Sequence, residues 1–167
     1  MKKFTTILAL CCAFFFVTNT IQGQDYKRSI GLRFGVPLSA SYKHFLNEKG
    51  AIEVTAGYRS YSGFASYLSL NGSYQHHTPI SSVAGLKWYV GGGAGINIWS
   101  YDDVYKGLGI NTSSTTFSIF GILGLDYKFA DYPINLSADW APTFFIGDGY
   151  TRGFGAGYGS LAARYTF

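Results

Sequence analysis

Two groups of residues in this sequence have types and spacings that metal binding could use. The adjacent His76 and His77 could ligate a transition metal, but no carboxylate or third histidine lies close to them in sequence. Asp102 and Asp103, with Asp148 further along, could hold calcium, but they lack the alternating oxygen ligands of a dedicated calcium loop. We therefore predict solvated or interfacial histidines, a solvated acidic loop, no metal site and no cofactor.

Two glycine-rich stretches invite comparison with phosphate-binding loops. They are "GGGAG" at residues 91–95 and "GFGAGYG" at residues 153–159. A dinucleotide-binding fingerprint needs a helix that begins directly after the glycines, whereas both stretches lie in segments that alternate like β-strands. We expect no nucleotide site, because small residues in strands leave room for neighbouring tyrosine rings or allow strand curvature.

The elements that would position these residues are β-strands. In eight segments apolar and polar residues alternate with a period of two, which is typical of strands with two unlike faces. The segments are "RSIGLRFGV", "LSASYKHFL", "AIEVTAGYRS", "FASYLSLNGSYQ", "LKWYVGGGAGINI", "FSIFGILGLDYKF", "INLSADWAPTFFI" and residues 154–167. After the first two dozen residues, no apolar run approaches the ~20 residues of a transmembrane helix. The pattern predicts eight strands of roughly 9 to 15 residues.

The charged residues decide which solvent each face meets. Nine of them fall on the polar face: Arg33, Lys43, Glu53, Arg59, Lys87, Asp126, Lys128, Asp139 and Arg164. A charge against lipid costs about 2–4 kcal/mol at the bilayer midplane. A soluble sandwich or lipocalin-type barrel would present a charge-dense outer face, whereas this face has few charges, both signs, and many Gly, Ser, Asn and Thr residues. We therefore predict an all-β fold, an eight-stranded antiparallel up-and-down transmembrane β-barrel with a narrow polar lumen.

The lumen is predicted to be filled by an internal ion-pair network. Its members are Arg33, Glu53, Arg59, Lys87, Asp126, Asp139 and Arg164. Eight strands enclose an interior just wide enough for its own side chains, and a buried network mostly satisfies its own charges. A continuous water channel is therefore not expected, and a small-solute pore is kept as the alternative.

Composition and the N-terminus favour export. Aromatic residues make up 19% and charged residues 13% of the chain, against about 25% charged in an ordinary soluble domain. Lys2 and Lys3 precede an eleven-residue apolar run at residues 7–17, which as a helix would span only about 16 Å, too little for a membrane anchor. We predict a signal peptide at residues 1–23 and a barrel domain at residues 24–167.

Removal of the signal peptide changes two further interpretations. Cys11 and Cys12 leave with it, so no disulfide or reactive thiol is expected in the mature chain. Two of the 13 basic residues also leave, which gives 11 basic against 9 acidic residues and a formal charge of +2. No basic stripe remains, and no nucleic-acid partner is expected.

The connections between strands predict an orientation. With the N-terminus in the periplasm, the connections after odd-numbered strands lie outside the cell, and the long connection at residues 99–116 is one of them. It mixes aromatic and charged residues. A loop interaction surface for an unidentified ligand is therefore predicted at Tyr101, Asp102, Asp103, Tyr105 and Lys106.

Aromatic residues near the strand ends predict two interfacial girdles. The periplasmic girdle would contain Phe45, Trp88, Tyr127, Phe129, Tyr132, Tyr165 and Phe167, and the outer girdle Phe34, Tyr61, Phe64, Trp99, Tyr101 and Phe144. Pro142 falls near the outer end of its strand, where the loss of a ladder hydrogen bond predicts a β-bulge.

A family resemblance is carried by "GLRFGVPLSASYKHFLNEKGAIEVTAGYR", "GLKWYVGGGAGINIW", "GILGLDYKF", "PINLSADWAP" and the final "RYTF". The chain resembles the small eight-stranded outer-membrane barrels of the OmpX and OmpA-barrel kind, in the short versions common in Bacteroidota, over essentially its whole mature length. The resemblance implies a Gram-negative outer membrane as the location, with membrane lipids including lipopolysaccharide as partners. It also implies that Leu161, Tyr165 and Phe167 form the signal read by the barrel-assembly machinery.

The predicted function is that of a non-enzymatic outer-membrane barrel with a structural or surface-interaction role through its extracellular loops. Some eight-stranded barrels modify lipid A with a serine, a histidine and a carboxylate at the level of the outer leaflet. Here His44, His76 and His77 map to the periplasmic end, and the outer end offers serines and aspartates without a general base. A lipid A-modifying enzyme therefore ranks behind the pore as an alternative.

Overall fold

The computed structural model describes residues 26–61, 65–101, 113–147 and 153–167. The described residues contain eight β-strands: β1 (Arg28–Phe34), β2 (Leu38–Phe45), β3 (Gly50–Tyr61), β4 (Ala65–Pro79), β5 (Leu86–Tyr101), β6 (Ser113–Lys128), β7 (Ile134–Gly147) and β8 (Gly153–Thr166). Within these ranges there is no helix of the length and apolar character needed to cross a membrane. The predicted signal peptide at residues 1–23 lies outside the described residues.

The eight strands form one closed antiparallel barrel. Each strand pairs with the next along the chain, and β1 pairs with β8 to close the sheet. At the seam Ile30 lies opposite Tyr165, and Gly31 lies opposite Arg164. The predicted all-β, eight-stranded up-and-down barrel is confirmed. We call the end that holds Tyr26 and Phe167 the terminal end, and the opposite end the loop end.

The strand lengths depart from the prediction in the first hairpin. β1 has 7 residues and β2 has 8, whereas β5 and β6 have 16 each. The connection between β1 and β2 contains Pro37, which has no backbone N–H to donate to the ladder. The first hairpin is therefore shorter than the alternation in "RSIGLRFGV" suggests.

Alternation along each strand separates an apolar outside from a polar inside. Lys43, Glu53, Asp126 and Arg164 point inward and are at most 2% exposed. The outward positions carry large apolar side chains that are roughly half exposed: Ile30, Leu32, Phe34, Val54, Leu68, Leu70, Val90, Ile98, Phe117, Ile119, Leu123, Leu125, Trp140, Phe144, Ile146 and Leu161. This is the reverse of a barrel built to face water, in which the apolar side chains would fill the interior.

Four residues assigned to the aromatic girdles point into the barrel instead. Phe45 and Trp99 are buried, and Tyr61 and Tyr101 are half-buried. Their odd-numbered positions share a face with the inward residues of the same strands, such as Lys43 beside Phe45. The girdle assignment was wrong for these four, because it counted aromatic residues near strand ends without regard to the face they occupy. Phe64 lies outside the described residues.

The predicted bulge opposite Pro142 is confirmed. Ala141 pairs with Tyr158 and Thr143 pairs with Gly155, so two residues of β8 face Pro142 alone. Gly157 supplies the positive φ of 86° that such a bulge uses. The extra residue also reverses the alternation in "GFGAGYG", so that Phe154 pairs with outward Phe144.

Gly157→Ala is expected to destabilise the barrel by about 1–3 kcal/mol, because an L side chain is strained at this φ. An added Cβ would also lie 2.6 Å from both the Ala141 carbonyl oxygen and the Pro142 nitrogen. Gly159→Ala is the matched control, since its Cβ would come no closer than 3.8 Å to Asp139 O. Urea unfolding followed by tryptophan fluorescence measures both variants, and equal losses of stability would contradict the assigned role of Gly157.

Candidate functional site

The lumen contains a buried central cluster of two arginines and two carboxylates: Arg33, Glu53, Asp139 and Arg164. Arg164 Nη2 lies 2.5 Å from Glu53 Oε1, and Arg33 Nη1 lies 3.2 Å from the same oxygen. Arg33 also forms an ion pair with Asp139. One arginine therefore bridges both carboxylates, and the four charges neutralise one another inside the barrel.

Polar neighbours complete the hydrogen bonding of the cluster carboxylates. Ser41 Oγ and Gln75 Nε2 each donate to Glu53 at 2.6 Å. Tyr89 Oη donates to Asp139 at 2.5 Å, and Ser160 Oγ donates to it at 2.8 Å. A buried ionised carboxylate is tolerated only when its lone pairs are satisfied in this way.

The second guanidinium is held from three strands. Arg164 Nε donates to Ser41 Oγ at 2.8 Å, and its Nη1 donates to Ser137 Oγ at 2.8 Å and to Asn135 Oδ1 at 3.3 Å. Ser41 lies on β2, Glu53 on β3, and Ser137 and Asn135 on β7, whereas Arg164 itself lies on β8. The cluster thus ties both sides of the β1–β8 seam together.

A terminal cluster, Lys43 and Asp126, lies nearer the terminal end. Lys43 Nζ is 2.9 Å from Asp126 Oδ2 and 4.7 Å from the centre of the Tyr89 ring. Asn135 donates to Asp126 as well as accepting from Arg164, so it joins the two clusters. Together the clusters and their partners fill this half of the lumen.

Tyr26, just before β1, covers the terminal cluster. Its hydroxyl lies 3.4 Å from both oxygens of Asp126, and its ring packs edge-on against Phe45 with 5.1 Å between centroids. Burial raises the pKa of the Tyr26 hydroxyl well above its ordinary value, and the negative charge of Asp126 raises it further. The phenol therefore stays a neutral hydrogen-bond donor.

Glycines make room for the large lumen side chains. A Cβ on Gly124 would lie 2.6 Å from Asp139 Cβ and 2.7 Å from the Tyr89 ring. A Cβ on Gly93, in the "GGGAG" stretch, would lie 2.6 Å from the Phe120 ring. The rings of Tyr89 and Phe120 can cross the interior only because these facing positions lack side chains.

The structure brings together five of the seven residues predicted for the lumen network. Arg33, Glu53, Asp139 and Arg164 form the central cluster, and Asp126 belongs to the terminal cluster. The other two face aromatic rings: the Arg59 guanidinium lies 4.8 Å from the Tyr61 ring centre, and Lys87 Nζ lies 5.4 Å from the Phe45 ring centre. Both are cation–π contacts.

Sequence reasoning missed Lys43 and His77 as members of the lumen. Lys43 was placed on the polar face but left out of the network, although its register partner is Glu53. His77 was assigned to a turn and expected to be solvated or interfacial, and this was wrong. β4 continues to Pro79, and His77 is fully buried, 3.8 Å from Asp126 and 4.8 Å from the Tyr89 ring. His76 faces outward.

A loop-end chamber of about 260 Å³ lies above the central cluster. Its floor is formed by Arg33 and Glu53, and its walls carry aromatic and uncharged polar side chains. The aromatic and polar lining residues are Ser39, Thr55, Tyr61, Tyr67, Ser69, Asn71, Ser73, Asn97, Trp99, Ser118, Phe120, Thr143, Phe145, Tyr158 and Ser160, and the small or aliphatic ones are Gly35, Val36, Pro37, Ile122 and Ala141. The lumen is therefore packed in its terminal half and hollow in its loop half.

The described residues do not assemble a recognisable catalytic or metal site. All three histidines lie in the terminal half of β2 and β4, and the two ring nitrogens of His77 have no hydrogen-bond partner among the described residues. No group of three or more His, Cys, Asp or Glu side chains within the described ranges could hold a metal ion. The two charge clusters neutralise their own charges and fill the terminal half of the lumen.

The remaining predicted site residues lie at the two ends of the barrel. Leu161, Tyr165 and Phe167 point outward from β8 and the C-terminus, and each is more than half exposed. Tyr101 is at the loop end, where its hydroxyl lies 3.2 Å from Ser114 Oγ. The other residues of the predicted loop surface, Asp102, Asp103, Tyr105 and Lys106, lie outside the described residues.

Comparisons with known proteins give similarities to solved structures alone. No protein-family model and no curated protein matches the chain. Among solved structures, the N-terminal β-barrel domain of Pseudomonas aeruginosa OprF is similar, with a TM-score of 0.48 and 16% sequence identity over 84% of this chain and 95% of that chain. At this level of similarity, the functional assignments depend on the protein's own residues.

Proposed function

We propose that the protein is a non-enzymatic barrel of the Gram-negative outer membrane, with a structural or surface-interaction role. In this proposal residues 1–23 are the export signal and residues 24–167 form the barrel. The observation that carries it is the distribution of charge between the two faces of the sheet. On the outward face of the eight strands, the one charged side chain among the described residues is Arg28, at the first position of β1.

The energetics of this distribution favour lipid as the outer solvent. A barrel in water gains stability by turning apolar side chains inward. Burying six ionised groups instead would cost it desolvation free energy. In a bilayer each outward charge would instead cost about 2–4 kcal/mol at the midplane and about 0–1 kcal/mol near the interface. Arg28 occupies the end of its strand, which is where such a charge is tolerated. A closed barrel also leaves no unpaired strand edge in hydrocarbon.

The filled terminal half of the lumen supports a structural role over a pore. Lys43, Gln75, His77, Tyr89 and Asp126 are all at most 2% exposed. Together with the central cluster they occupy the cross-section of the barrel, so a solute entering the loop-end chamber meets a closed floor. The placement of every histidine in the terminal half likewise argues against a catalytic triad at the loop end.

The partners follow from the same assignment. Membrane lipids, including lipopolysaccharide in the outer leaflet, would contact the outward apolar side chains. The exposed C-terminal residues Leu161, Tyr165 and Phe167 would be read by the barrel-assembly machinery. A surface ligand would meet the connection around residues 101–106, which leaves the barrel at the loop end.

Fractionation of cells that express the protein tests the proposal. We expect the protein in the outer-membrane pellet, released by detergent but not by salt, because its outward face is apolar. Protease applied to intact cells should cut within residues 102–112 and leave the strands protected. Recovery in the soluble periplasmic fraction would contradict the membrane assignment, and steady open-channel steps in planar bilayers would contradict the closed lumen.

A further inference from the structure

The loop-end chamber combines two kinds of lining that a purely space-filling interior does not need. One is a set of aromatic rings: Tyr61, Tyr67 and Trp99 from β3 to β5, and Phe120, Phe145 and Tyr158 from β6 to β8. The Tyr67 and Trp99 rings pack with 4.5 Å between centroids, and Tyr61 stacks on Trp99 at 6.5 Å with an interplanar angle of 11°. They form a stacked aromatic wall beside an open space.

The second kind of lining is uncharged and polar. Nine hydroxyl or amide side chains face the chamber: Ser39, Thr55, Ser69, Asn71, Ser73, Asn97, Ser118, Thr143 and Ser160. Asn71 Nδ2 donates to Thr55 at 3.2 Å and to Ser69 at 3.1 Å, so part of this wall is preorganised. Hydroxyl and amide groups both donate and accept hydrogen bonds, and an apolar ligand would leave them without partners.

The charges beneath the chamber do not select for an ion. Of the described residues that line it, Arg33 and Glu53 alone are charged, and they pair with each other. Arg33 also pairs with Asp139, and the three cations Arg33, Lys43 and Arg164 are matched by three carboxylates. The residues that line the chamber therefore offer a charged ligand no unpaired counter-charge. Arg59 is not one of them, and its guanidinium packs on the Tyr61 ring.

We propose that the loop-end chamber binds a neutral, polyhydroxylated molecule the size of one sugar ring. Such a ring has hydroxyl groups at its edge for the serine, threonine and asparagine wall, and C–H faces that pack against the aromatic wall. The volume of about 260 Å³ lies just below the range of about 300–1,000 Å³ for drug-sized ligands, so a single ring fits. This site is independent of the membrane assignment, because it depends only on the lumen.

Glucose, glucuronate and glucosamine provide neutral, anionic and cationic probes built on one ring. The protein is purified in a detergent without a sugar headgroup, and binding is followed by saturation-transfer NMR and by tryptophan fluorescence. Trp99 lines the chamber, whereas Trp88 and Trp140 face outward. We expect saturable millimolar binding of glucose and weaker binding of both charged probes. Absence of saturable glucose binding, or preference for a charged probe, would overturn the proposal.

Two adjacent substitutions locate the binding. Ser69→Phe fills the chamber from β4, and Leu70→Phe adds similar bulk to the outer face of the same strand. We expect Ser69→Phe to weaken glucose binding by about tenfold or more and Leu70→Phe to leave it unchanged. If Ser69→Phe does not fold, Asn97→Leu replaces it, since this change keeps the side-chain size and removes the amide. Equal affinities of the inner and outer variants would show that glucose binds elsewhere.

Discussion

Glu53→Ala is expected to destabilise the barrel by about 3–5 kcal/mol, because it removes one partner of a buried ion pair and leaves the others charged. Glu53 accepts hydrogen bonds from Arg164 at 2.5 Å, from Arg33 at 3.2 Å, and from Ser41 and Gln75 at 2.6 Å each. Arg33 retains Asp139, whereas Arg164 loses its one carboxylate among the ion pairs of the described residues. Urea unfolding in lipid vesicles, followed by tryptophan fluorescence, measures the loss.

Glu48→Ala provides the matched control, because Glu48 lies exposed in the turn between β2 and β3. It should change the free energy of unfolding by no more than about 0.5 kcal/mol. A double-mutant cycle of Glu53→Gln and Arg164→Gln then measures the interaction free energy of this ion pair. The double variant should be less destabilised than the sum of the single variants, by about 0.5–3 kcal/mol. Additive losses would mean that the two side chains do not interact in the folded barrel.

The barrel itself was predictable because its two faces differ in chemistry along every strand. In β3, Ile52 and Val54 alternate with Glu53 and Thr55, and the structure places the first pair outward and the second inward. Whether a side chain points into or out of the barrel is a local property, since it follows from the odd or even position of the residue in its strand. Strand number and face therefore follow from the sequence without knowledge of the register.

The pairing of charges inside the barrel was not predictable in the same way. Lys43 and Asp126 lie 83 residues apart, on β2 and β6, which are not neighbours in the sheet. Their contact crosses the lumen, so it requires both residues to lie at the same level along the barrel axis. That level depends on the stagger of all eight strands. The predicted network included Lys87, the register partner of Asp126, and left out Lys43, which pairs with the Asp126 carboxylate across the lumen.

The end of β4 and the loop-end chamber are two further features that could not be predicted from the sequence. The residues "HHTP" look like a turn because proline ends many strands, yet pairing with β5 continues to the contact of Pro79 with Lys87. That pairing buries His77. The chamber has no local signal at all, because its volume is what remains after side chains from all the strands have filled the interior. The positions of inward aromatic residues such as Trp99 can be read from the alternation, but they do not show how much space the other side chains leave.

Leu123→Arg should cost the barrel about 2–4 kcal/mol and reduce its assembly in membranes, if lipid surrounds the strands. Leu123 points outward near the middle of β6 and is 49% exposed. It lies between Val90 and Trp140 on the neighbouring strands. Neither of these register partners offers a charge that could pair with the new arginine. The measurements are the fraction of protein in the outer-membrane pellet and the free energy of unfolding in vesicles.

Ile146→Arg separates the effect of the membrane from the effect of the substitution. Ile146 is equally exposed at 49%, but it is the penultimate residue of β7, at the loop end. There the arginine can reach the interface, and the expected cost is about 0–1 kcal/mol. A barrel surrounded by water would tolerate both arginines to within about 0.5 kcal/mol, because both sites would be solvated. A difference that depends on depth is therefore the signature of hydrocarbon around the middle of the sheet, and its absence would refute the membrane assignment.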